Sequence, residues 1–137
     1  MPKILLIPLL LVFITTAVMA QSNAPVDAQL YIISPVNGAT VKNPVVVRFG
    51  LKNMGVAPAG VQAENTGHHH LLIDTSLPPL DQPIPADSYH QHFGKGQTET
   101  ELTLTPGKHT LQLLLGDFIH MPHHPPVISE QITITVE

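Results

Sequence analysis

Short apolar runs that alternate residue by residue, cut at close intervals by proline, constrain this chain more than any other feature. In "PVVVRFGLKN" (44–53), Val45, Val47, Phe49 and Leu51 fall on one side, with Val46, Arg48 and Gly50 on the other. "PGKHTLQLLLGD" (106–117) places Leu111, Leu113 and Leu115 at period two, and "SEQITITVE" (129–137) does the same with Ile132, Ile134 and Val136. A period of two is the pleat of a half-buried strand, whereas a helix needs apolar positions near every third or fourth residue. The chain has 14 prolines, each of which removes a backbone donor and fixes φ, so long helices are excluded and loops or edge strands favoured.

The first twenty residues stand apart. Lys3 gives a positive start, Ile4 to Val18 is an apolar run, and Val18 and Ala20 suit the −3 and −1 positions of a small-residue cleavage site. Residues 1–20 are therefore expected to be a signal peptide. The product is expected to be periplasmic or secreted, with no membrane association after cleavage and no cysteine to carry a lipid. Residues 21–28 are expected to be a flexible N-terminus, and 29–137 a single domain large enough for its own core.

Within that domain strands are expected near 30–34, 44–52, 68–74, 98–105, 108–116 and 128–136. A short seventh lies in the proline-rich stretch that includes "TSLPPLDQPIPADSYHQHFGKG" (75–96). Six to seven strands at this spacing give an all-β, immunoglobulin-like antiparallel β-sandwich. The chain lacks cysteine, so packing rather than disulfides must hold it. Its net charge of −4 becomes −5 without Lys3, leaving only Arg48 and four lysines as cations. That excludes a basic footprint for nucleic acid. No nucleophile elbow, phosphate loop or His-Glu-x-x-His helix is present, so the domain is expected not to be an enzyme.

The chemistry lies in the histidines. Of nine, eight form three groups: His68, His69 and His70; His90 and His92; His120, His123 and His124. On the expected topology the first group opens the strand over 68–74 and the other two lie in connections, all at one end of a sandwich. His109, which opens the strand over 108–116, falls at the other end. Alternation lets His68 and His70 point together while His69 turns inward. His90 and His92 repeat the same His-x-His spacing, roughly 7 Å apart on one face if extended. Neutral imidazole is the common ligand of Zn(II) and Cu(II), and a chain with no cysteine does not suit a soft Cu(I) site. The expected ligands are His68, His70, His90, His92, His120, His123 and His124, taking Cu(II) or Zn(II). Asp74 and Asp117 are expected to fix ring tautomers from outside, and His69 to be a buried structural neighbour. The alternative is a cell-envelope interaction or structural domain whose histidines only hydrogen-bond and brace loops.

The segments "SPVNGATVKNPVVVRFGLKNMGVAPAG", "TGHHHLLID", "LPPLDQPIP", "HQHFGKGQTET", "LTPGKHTLQLLLGD" and "MPHHPPVISEQITITV" together resemble an exported bacterial family known only as a domain of unknown function. Some of its members carry a rod-shape-determining label. The resemblance spans nearly all of 21–137 and rests on His68, His69, His70, His90, His92, Gly94, Gln97, Gly116, Asp117, His120 and His123. It implies an exported single domain and brings no activity. Periplasmic copper carriers place a histidine at the mature N-terminus, where this chain would have Gln21. Copper–zinc superoxide dismutase also uses His-x-His on a sandwich, but its disulfide has no counterpart here.

Overall fold

The computed structural model describes residues 20–137, so the expected signal peptide lies, but for Ala20, outside the described residues. Among the described residues there are nine strands, in order β1 Gln29–Ser34, β2 Thr40–Val41, β3 Val45–Lys52, β4 Gly55–Val56, β5 Thr66–Ile73, β6 His90–His92, β7 Glu99–Leu102, β8 Gly107–Gly116 and β9 Ile132–Val136. They form two sheets: β1-β3-β7, and a larger one in the order β2-β9-β8-β5-β4, with β6 also paired to β5. This is the all-β sandwich expected from the alternation. The six longer strands match the expected ones, and β2, β4 and β6 are short additions at sheet margins.

The two sheets pack through the residues that alternation placed inward. Leu30, Val45, Val47, Phe49, Leu71, Leu102, Leu111, Leu113, Leu115, Ile134 and Val136 all belong to one buried cluster. Each fully buried aliphatic or aromatic side chain contributes about 1.5–3 kcal/mol by leaving water. The Pro106-Gly107 turn starts β8, with Gly107 at φ 126. Asn43 braces that corner, donating to the Leu104 carbonyl and accepting from the Leu104 N–H.

The outer face of β5 is covered, and every residue from Gly67 to Ile73 is buried. Leu80 and Ile84, from the proline-rich segment, fold back on Leu72 and Leu114 and make a second, smaller apolar cluster there. Residues 21–24 lie along 122–124. The Ala24 N–H donates to the His124 carbonyl, the His124 N–H to the Ser22 carbonyl, and the Gln21 amide to the carbonyls of Leu80 and Pro122.

Candidate metal centre

β5 positions the first two imidazoles. His68 and His70 stand two residues apart on its outer face, are fully buried, and have ring centroids 4.7 Å apart. The third comes from β6, whose antiparallel register sets His92 opposite His70 and His90 opposite Leu72. The sequence had put His90 and His92 in a connection. They are instead a strand on the edge of β5, because that edge has free backbone groups and the His-Gln-His triplet supplies partners for them. The His92 centroid lies 5.0 Å from His68 and 5.2 Å from His70.

His120 closes the group from the turn after β8. Its centroid is 5.0 Å from His68, 4.7 Å from His92 and 6.0 Å from His70, and its Nε2 lies 3.0 Å from His92 Nε2. His120 has φ 68, a left-handed conformation that a residue with a Cβ holds only when its surroundings impose it. Here the His120 N–H donates to the Asp117 carbonyl, and the His120 carbonyl accepts from the Ile84 N–H. Two glycines give the rings room. A Cβ on Gly116 would lie 2.6 Å from His70 Cε1, and one on Gly94 would collide with the His92 ring.

One nitrogen each from His68, His70 and His92 lies within 4.8 Å of the other two, a grouping that can hold a metal ion. Both nitrogens of His68 and Nδ1 of His70 are buried without a hydrogen-bond partner. Burial, then the neighbouring His120 and His92, lowers the His68 pKa to about 4, against an opposing pull from Asp117. Burial, then His68, His92 and His120, pushes His70 down to about 2. His92 is lowered by burial and by His120. These rings are therefore neutral at pH 7, the form that ligates metal. Tetrahedral nitrogens at Zn–N distances of about 2.0–2.1 Å lie about 3.4 Å apart, so the rings need only a modest inward swing.

The remaining expected site residues are elsewhere. His90 Nδ1 pairs with Asp87 Oδ1 at 2.8 Å, beside Leu72 rather than in the group. His123 Nε2 donates to the Thr66 carbonyl at 3.0 Å, and His124 is exposed. Asp74 does not serve the centre: its Oδ2 is 2.6 Å from Nδ1 of His109, the histidine that sequence set at the opposite end. Asp117 bonds no imidazole; its carboxylate is taken up by backbone N–H groups and by Ser22. His69 faces the other way, into the core, with its ring 5.1 Å from Phe49 and its pKa lowered by burial to about 4. Ser22 was not anticipated. It meets Asp117 across 95 positions of sequence, and no local motif announces such a contact.

No curated protein and no solved structure matches the chain. A family model does, over residues 47–137, a stretch that includes every histidine of the cluster. On that match the chain belongs to the family described as Domain of unknown function (DUF4399).

Proposed function

We propose that this protein is an exported, non-enzymatic domain that binds Cu(II) or Zn(II) through the histidine group on the outer face of β5, for metal carriage, buffering or sensing. The observation that carries the proposal is convergence. His68, His70 and His92 come from two strands and His120 from a turn, and their rings meet with nitrogens facing one another. A buried polar group without a partner costs on the order of 1–3 kcal/mol, and a bound ion removes that cost for His68 and His70 together.

A bracing role accounts for other histidines. His90 with Asp87, His109 with Asp74, and His123 with the Thr66 carbonyl each have a partner that fixes a loop or turn. It does not account for His68, whose two nitrogens have none. His69 also lacks partners, but no second imidazole faces it, so it offers no site.

The test is titration of the protein, purified without a histidine tag, with Zn(II) and Cu(II) while heat and melting temperature are followed together. An ion at 100 times its dissociation constant stabilises a fold by ~2.7 kcal/mol if it binds only the native state. For a domain of this size that is a rise of several degrees. His70→Ala and His92→Ala should abolish the rise, and His109→Ala should leave it. Weak binding at several sites with no rise, or equal loss from all three variants, would refute the proposal.

A further inference from the structure

Asp117 is the one carboxylate fully buried among the described residues. It immediately follows Gly116, on which the His70 ring lies. Its Oδ1 accepts the N–H groups of Ile119 at 3.0 Å and Met121 at 2.9 Å. Its own N–H donates to the Met121 carbonyl, and its carbonyl accepts the His120 N–H. The turn that carries His120 is thus wound around this single side chain. Oδ2 accepts the Ser22 hydroxyl at 2.6 Å, so both carboxylate oxygens are hydrogen-bonded.

Imidazole ligands bring no charge to an ion, and a divalent cation held among buried rings needs a negative charge nearby. Resting on the metal-binding reading above, we infer that Asp117 is the specificity-determining residue of this centre: it positions His120 through the backbone, and its charge favours a divalent ion over a monovalent one. Asp117 stands next to this group: the His70 ring lies against Gly116, the residue before it, and its own carbonyl holds the His120 N–H. The energy of an ion in a fixed field scales with the ion's charge. Removing the carboxylate charge while keeping the turn must therefore reduce log affinity for a divalent ion about twice as much as for a monovalent one.

Asp117→Asn does this, because the amide oxygen still accepts from Ile119 and Met121 while its NH₂ group donates to Ser22. Zn(II) and Ag(I) affinities are measured by calorimetry for the unaltered protein and the variant, in chloride-free nitrate buffer. The expected result is a Zn(II) loss of about 10- to 100-fold, with the loss for Ag(I) near the square root of that factor. Equal losses for both ions would reduce Asp117 to a holder of the turn and overturn the inference, as would no loss. If the unaltered protein binds neither ion, the metal reading itself falls and the inference with it. Should Asp117→Asn not fold, Ser22→Lys provides the same test. Ser22 is only half-buried and lines an open cavity of about 450 Å³ beside Asp117, so a lysine there can neutralise the carboxylate without disturbing the turn. It must show the same two-to-one ratio.

Discussion

Acidification of the metal-free protein should remove a large part of its stability, and the amount follows from three adjacent side chains. His68 and His69 have folded pKa values of about 4, and His70 of about 2, against 6.5 for an unperturbed histidine. In each case burial is the largest cause. Between the two values the unfolded chain binds a proton that the folded chain refuses. Each contribution is therefore complete above pH 6.5 and drains away as pH falls toward the folded value. At about 1.4 kcal/mol per pH unit, 1.5 units below pH 6.5 remove about 2 kcal/mol per histidine. From pH 7 to pH 5 the three together lose about 6 kcal/mol, comparable with the whole stability of many small domains, about 5–15 kcal/mol. His109 works in the opposite sense, because its bond to Asp74 raises its pKa, and it offsets part of the loss.

The assay is urea unfolding with a chelator present at pH 7, 6 and 5, read by circular dichroism and extrapolated to water. Stability should fall steadily below pH 6.5, with the midpoint moving and the denaturant slope unchanged. Saturating Zn(II) at pH 6 should restore it, because a bound ion keeps His68 and His70 unprotonated. A free energy that changed by less than about 1 kcal/mol between pH 7 and pH 5 would mean that these rings are not buried as neutral, unpartnered groups. That would refute the electrostatic account of the centre.

Other outcomes follow from single contacts. Gly116→Ala puts a methyl group 2.6 Å from His70 Cε1, so Zn(II) affinity should fall by about tenfold or more with the fold retained, as calorimetry and circular dichroism would show. His109→Ala removes a bond whose contribution is full below pH 6.5 and is lost as pH rises through the raised folded pKa. The variant should be destabilised more at pH 6 than at pH 9 in paired thermal melts. Leu113→Ala, with no exposed surface at the centre of the core, should cost about 2–5 kcal/mol in urea unfolding and leave the metal stoichiometry unchanged.

The sandwich was legible because its long strands obey one rule. Val45, Val47 and Phe49, and likewise Leu111, Leu113 and Leu115, alternate inward and are buried together. The centre was legible in residue type and in part by position. His68, His70, His92 and His120 were named and do meet, but His90, His123 and His124 were named with them and do not. The difference lies in partners that no spacing reveals. His90 is held by Asp87 three residues away, and His123 by a carbonyl 57 residues away. Asp74 shows the same limit. Position along β5 made it look like a neighbour of the cluster, yet it closes the strand at the far end, where β8 begins and His109 waits. The covering of β5 by Leu80 and Ile84 was hidden because a proline-rich segment has no periodicity to show which of its residues turn inward.

The triplet His68-His69-His70 then has a physical reading that three like residues in a row conceal. β5 is a central strand buried on both faces, a setting that ordinarily selects a continuous apolar run. From Leu71 onward it has one: Leu71 and Ile73 enter the core between the sheets, while Leu72 enters the small cluster under the proline-rich segment. Upstream, the same alternation sends His69 against Phe49 and sends His68 and His70 to the outer face. A strand lined only for packing would continue there with valine or leucine, since each buried imidazole adds a polar group that must be satisfied or left at a loss. The outer pair is offset if an ion joins it to His92 and His120, and nothing comparable faces His69. The replacement that separates these cases is His69→Leu against His68→Leu in the metal-free protein. Both should raise stability at pH 5 by removing a group that protonates on unfolding. Only His68→Leu should also remove the stabilisation that Zn(II) confers, and loss of that response in His69→Leu would show that the inward ring belongs to the centre after all.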